Sequence, residues 1–88
     1  MKYTYRNNQL KKYREQKGYT QKEVALRLGL KTEQPIANWE EGKSTPRFLN
    51  LMRLSLIYRT GPEKLYPDFF EKIQRALQRD AKSRENPD

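Results

Sequence analysis

The 88-residue sequence contains neither cysteine nor histidine. Without cysteine there is no disulfide and no thiolate metal site, which agrees with a reducing compartment. Without histidine, the commonest general base and a common metal ligand are missing as well. Glu23, Glu33, Glu40, Glu41 and Asp68 form no metal-ligand or acid–base pattern, and no glycine-rich loop suited to cradling phosphate is present. We therefore expect no catalytic residue, no metal, no cofactor and no small-molecule ligand. Long apolar runs are lacking too. No segment approaches the roughly 20 apolar residues of a membrane span, and the opening MKYTYRNN lacks the apolar stretch of a secretory signal. The expectation is a cytoplasmic protein with no membrane partner.

Acidic residues are outnumbered. Lysine and arginine total 19 against 11 aspartates and glutamates, for a net charge of +8. Such a balance favours an anionic partner, nucleic acid first, although it also serves plain solubility. A chain of this length buries only about 60% of its unfolded surface, so its core must be modest.

The most informative stretch is TQKEVALRLGLKTEQPIANWEEG, from Thr20 to Gly42. Thr20 can cap a helix, and Glu23 three residues on completes a capping box. Val24, Ala25 and Leu28 then share one helical face. Gly29 can take the left-handed conformation that ends a helix. After a polar link, Ile36 and Trp39 mark the apolar face of a second helix, and Gly42 closes it. Two short helices around a glycine turn form a helix-turn-helix.

The ordered set Arg14, Gly18, Thr20, Gln21, Val24, Ala25, Leu28, Gly29, then Ile36, Trp39, Glu40, Gly42 and Pro46 resembles the phage repressor and Cro-type helix-turn-helix proteins, the xenobiotic-response-element family. The likeness covers roughly Leu10 to Leu65. It implies an all-α protein, with a compact five-helix DNA-binding domain over residues 8–66. A C-terminal amphipathic helix over 67–83 follows, with a basic arm at 1–7 and a disordered tail at 84–88.

Around the central stretch, a first helix begins after Asn7 or Asn8, both good caps, and ends at Gly18. Leu10 and Tyr13 face inward with Arg14. The resemblance pairs Arg14 with Glu40 in a structural, two-pronged ion pair. Between Gly29 and Ile36 the six residues LKTEQP are one more than the common family pattern, which lengthens the turn. Pro35 suits a first helical turn and disfavours helix at the residue before it. The recognition helix is thus expected to start at Pro35, with Gln34 as an extended cap residue; a start at Thr32 is the alternative. A fourth helix over 46–58 has Pro46 in its first turn. It is apolar nearly all round, which marks it as the buried centre. Gly61 and Pro62 break the chain before a short fifth helix to Tyr66. The last helix, capped by Asp68, carries the stripe Phe69, Phe70, Ile73, Ala76 and Leu77. That stripe must be covered either by the domain or by a second copy.

The resemblance also indicates which residues would meet DNA. Gln34 can pair with an adenine edge, and Asn38 lies one turn along the same face. Ala37 could touch a thymine methyl, Glu33 could accept from cytosine, and Thr32 flanks them. For phosphates, Gln21 is first, since it opens the second helix and the matching family glutamine grips the backbone. Lys43, Ser44, Thr45 and Arg47 follow, with Lys31 beside them. The N-terminal Lys2, Tyr3, Tyr5 and Arg6 either lie along DNA or form a packed or frayed end. Lys11 and Lys12 read as a solvated face. The leading expectation is a sequence-specific double-stranded DNA-binding regulator, a prokaryotic repressor of phage or mobile-element type. It would act as a dimer through Phe69, Phe70, Ile73 and Leu77. The other reading is a protein-interaction module, such as an antitoxin or bridging coactivator, on the same fold.

Overall fold

The computed structural model describes residues 7–85, with side chains to residue 81. The arm residues Lys2, Tyr3, Tyr5 and Arg6 and the last three tail positions lie outside the described residues. Among the described residues the chain is all-helical: α1 (Leu10–Gln16), α2 (Gln21–Arg27), α3 (Gln34–Glu41), α4 (Phe48–Tyr58), α5 (Pro62–Leu65) and α6 (Pro67–Glu85).

The first three helices end in the same way, and the reason is local. Gly18, Gly29 and Gly42 adopt φ of +76°, +75° and +77°. After Gly29 the chain folds back, so that the Leu30 amide donates to the Ala25 carbonyl at 2.9 Å. With the Gly29 amide donating to the Leu26 carbonyl at 3.1 Å, this closes two orphan carbonyls of α2 and sets the turn of the helix-turn-helix. A side chain at Gly29 would meet nothing within 4 Å, so the glycine is there for its backbone angle alone. Arg59 ends α4 in the same left-handed conformation, at φ +52°, without glycine's freedom.

Four starting points differ from the sequence reading. α1 is preceded by Gln9 rather than capped directly by Asn7 or Asn8. Asn8 still serves it: its Oδ1 accepts from the Leu10 amide at 3.1 Å, and its Nδ2 donates to the Trp39 carbonyl at 3.0 Å. α3 begins at Gln34, not Pro35, and Gln34 is helical rather than extended. The cause is Glu33, which already has helical angles and whose carbonyl accepts from the Ala37 amide at 3.2 Å. Pro35 then occupies the second helical position, where it forfeits no intrahelical bond. The alternative start at Thr32 is not taken. Pro46 lies outside α4, because Arg47 is the extended N-cap residue. α6 starts at Pro67, which places Asp68 inside the first turn rather than at the cap. It also runs past residue 83 to Glu85, since nothing before Pro87 opposes a helix.

The core gathers Leu10, Val24, Ala25, Leu28, Ile36, Trp39, Leu54, Tyr58, Leu65 and Tyr66. α5 is four residues long, far below the length that holds a helix alone. It persists because Leu65 is fully buried and Tyr66 nearly so, while the Leu65 carbonyl accepts from the Gln9 amide at 2.8 Å. α4 is not the all-round buried centre that its composition suggests. Leu54 and Tyr58 are buried, but Phe48, Leu49 and Leu56 are 76%, 59% and 78% exposed. A small domain has too few other elements to cover every face of an eleven-residue helix. α6 packs its start against the core through Phe69, and Leu77 further along is 63% exposed. The molecule measures 55 × 24 × 20 Å.

Candidate nucleic-acid interface

α2 is set by its first residues. Thr20 Oγ1 accepts from the Glu23 amide at 3.0 Å, and Glu23 Oε1 accepts from the Thr20 amide at 2.9 Å. The Thr20 main-chain amide first, and the Thr20 hydroxyl second, stabilise the charged carboxylate, so the Glu23 pKa is lowered. Val24 and Ala25 are buried, and α2 thereby lies against α3.

The C-terminal end of α3 is fastened from beneath. Arg14 grips Glu40 with two bonds: Nε to Oε2 at 2.7 Å and Nη2 to Oε1 at 3.1 Å. Its remaining Nη1 donates to the Tyr19 carbonyl at 2.9 Å. The side chains of the pair are 10% and 4% exposed, so both charges are withdrawn from water and depend on each other. The bond to Glu40 raises the Arg14 pKa. Gln21 joins this cluster. Its Nε2 donates to Glu40 Oε1 at 3.0 Å, so that α1, α2 and α3 meet at one carboxylate. The buried Tyr58 is held in its phenol form, with its pKa raised by desolvation first and by the charge on Glu40 second.

The outer face of α3 is built from different material. Ile36 and Trp39 turn inward, while Gln34 is exposed and Ala37 and Asn38 are half-buried. Gln34 Nε2 donates to Asn38 Oδ1 at 2.9 Å across one turn. Lys31, Thr32 and Glu33 are exposed in the link before the helix. With Lys22, Leu26 and Leu30 they line a shallow hollow of about 280 Å³. Beyond α3, Lys43, Ser44, Thr45 and Arg47 are all exposed in one loop. The Lys43 amide is tied to the Asn38 carbonyl at 2.9 Å, and its ammonium pairs with Glu41 at 2.9 Å in solvent.

The fold thus gathers Gln34, Ala37 and Asn38 on one helix face, with Thr32 and Glu33 at its leading end. The loop from Lys43 to Arg47 follows at its trailing end. Gln21 lies apart, half-buried and turned toward Glu40. Sequence reasoning assigned it to phosphate because it opens α2 and the matching family glutamine grips the backbone. Its partner stands 19 residues away, and no local pattern announces that bond. The role of the Tyr19 carbonyl was equally invisible, since a main-chain acceptor leaves no mark in residue type.

The helix-turn-helix family pattern matches residues 10–65, more than half of the chain. The chain belongs to the Cro/C1-type helix-turn-helix family. No curated protein and no solved structure matches it. As a member of this family it is a DNA-binding regulator of transcription whose partner is double-stranded DNA. The family is regulatory and not enzymatic. Among the described residues, no helix is long and apolar enough to cross a membrane.

Proposed function

We propose that this helix-turn-helix protein represses transcription in a prokaryotic cytoplasm by occupying an operator as a symmetric dimer, in the manner of phage and mobile-element regulators. The observation that carries the reading is the outer face of α3. It presents two amide side chains, Gln34 and Asn38, while its inner face is locked to the core and to Arg14. Amides carry paired donors and acceptors, the chemistry that distinguishes base edges in the major groove. Ala37, Thr32 and Glu33 complete the reading surface. Lys43, Ser44, Thr45, Arg47 and Lys31 meet phosphates and fix register. In this reading residues 8–66 are the DNA-binding unit, and the helix from residue 67 joins the copies.

The apolar surface supports a dimer. A groove of about 270 Å³ runs between α4 and α6, lined among others by Phe48, Met52, Phe69, Phe70 and Ile73. Phe48 within it, and Leu77 further along α6, are largely exposed. A dimer joined there reads an inverted repeat when its two α3 helices stand about 34 Å apart on one face of the duplex. The same groove favours a second reading, in which a dedicated protein partner occupies it, as for an antitoxin.

Selection from a random duplex library at fixed, near-physiological salt tests the proposal, because phosphate contacts make affinity fall steeply with salt. The expected result is an enriched inverted repeat. Phe48→Asp together with Phe70→Asp should then yield a folded monomer that retains only half-site binding. Enrichment of a single half-site by the wild type would refute the dimer. Enrichment of nothing would refute sequence-specific reading and leave the partner-binding alternative.

A further inference from the structure

The two amides of α3 are not independent. Gln34 opens the helix, Asn38 lies four residues on, and Gln34 Nε2 donates to Asn38 Oδ1 at 2.9 Å. An unconstrained side-chain amide offers one acceptor oxygen and two donor hydrogens, and can turn either end toward a base. The bond biases that choice on both sides. Asn38 commits one of the two lone pairs of its oxygen to Gln34, while both Nδ2 hydrogens stay free for a ligand. Gln34 spends one Nε2 hydrogen and keeps the second together with Oε1.

These remainders are different reagents. Oε1 beside an N–H is an acceptor–donor pair, which matches the N6 donor and N7 acceptor of adenine. Two free N–H groups beside an oxygen already in use favour a base that presents acceptors and no amino group in the major groove. Those bases are guanine, through O6 and N7, and thymine, through O4. Adenine is the poorer match for Asn38 in this state, because its N6 hydrogens must share an oxygen that already accepts from Gln34. Asn38 held this way is also a positioning residue for Gln34, since it determines which end of the glutamine faces outward.

We propose that Gln34 and Asn38 read DNA as one coupled unit, with Gln34 taking adenine and Asn38 taking an acceptor-bearing base, guanine or thymine. This rests on the reading of α3 as the base-contacting helix. Fixing both amides before binding also lowers the rotamer entropy lost when DNA is engaged. The chemistry of the pair sets a polarity along the helix that neither residue type carries alone.

The test uses the full-length protein in the same random-duplex selection, with wild type, Asn38→Ala and Asn38→Asp compared at one salt concentration. Thermal melts confirm that each variant is folded. For the wild type we expect two positions per half-site, one preferring adenine and one preferring guanine or thymine. A bidentate contact gives a preference of roughly 5- to 150-fold. Asn38→Asp keeps an oxygen for Gln34 but has no donor. The adenine preference should therefore survive, while the other position switches to cytosine or adenine, whose amino groups donate. Asn38→Ala removes the anchor. The adenine preference should then fall by about twofold, although Gln34 itself is intact.

A variant Asn38→Ala that loses preference at one position only, with adenine undiminished at the other, overturns the coupling and leaves base reading by α3 standing. Loss of the adenine preference in Asn38→Asp overturns it as well. A wild-type protein that enriches no sequence overturns base reading and the coupling together.

Discussion

The two ends of α3 solve opposite problems with similar atoms. At the C-terminal end, Glu40 is 4% exposed and receives three side-chain hydrogen bonds, two from Arg14 and one from Gln21. At the N-terminal end, Gln34 and Asn38 share one hydrogen bond in contact with solvent. The first end is over-determined: removing either member of the ion pair strands the other's charge away from water. The second is pre-oriented yet open, with donors and acceptors left for another molecule. Eight residues are thus divided between fixing the helix and using it. The difference lies in where the unspent hydrogen-bonding capacity is left.

Disrupting the buried end should have the largest effect. Arg14→Ala leaves Glu40 buried without its counter-ion and should lower stability by about 3–5 kcal/mol. Thermal unfolding followed by circular dichroism measures this. Gln34→Ala, at the open end, should change stability by less than about 0.5 kcal/mol while abolishing a base preference. Equal melting losses in the two variants would erase the distinction between the ends.

The phenol of Tyr58 sharpens the comparison from the core side. Its pKa is raised above the ordinary 10.0, so ionisation is disfavoured in the folded state relative to the unfolded chain. The stability this represents is present in full below pH 10.0 and is lost as pH rises beyond it. Denaturant titrations between neutral and strongly alkaline pH should show this decline, and Tyr58→Phe should flatten it. A wild-type curve as flat as that of Tyr58→Phe would show that the phenol is not shielded.

Smaller effects are expected at the helix ends. Thr20→Ala should cost about 1 kcal/mol through loss of the cap. Glu23 has the opposite pH sign to Tyr58. Its lowered pKa means that its contribution is present above the ordinary 4.5 and is lost as pH falls below that. Glu23→Ala should therefore narrow its gap to wild type in acid, and an unchanged gap would remove the capping box from the explanation. Smallest is Arg59→Gly, which relieves a left-handed non-glycine residue at the end of α4 and should stabilise by up to about 1 kcal/mol. A destabilised variant would mean that the arginine side chain matters more than its backbone.

What could be read from the sequence was what depends on near neighbours. The capping box at Thr20 and Glu23 and the glycine endings at Gly29 and Gly42 involve residues within one helical turn, so residue type and spacing suffice. The start of α3 was misplaced by one residue. The rule for a residue preceding proline is a tendency, and at Gln34 it yields to a Glu33 carbonyl that already accepts the first helical bond. α4 shows a different limit. Its run of apolar residues speaks of burial, but burial needs a second surface. Whether Phe48 or Leu56 finds one is decided by the rest of the fold or by another copy. The partner of Gln21 lies on another helix, and long-range polar partners are chosen by tertiary geometry that spacing does not encode.

Side-chain and backbone amide resonances of ¹⁵N-labelled protein, followed as a selected duplex is added, test most directly whether the open end of α3 is where DNA binds. The largest shifts should fall on the Gln34 and Asn38 side-chain amides and on the backbone from Lys43 to Arg47. The Arg14 guanidinium and Trp39 indole, on the fixed side, should barely move. Shifts concentrated on Phe48, Leu56 and α6, with the Gln34 and Asn38 amides unmoved, would contradict this division of the helix and place the DNA elsewhere.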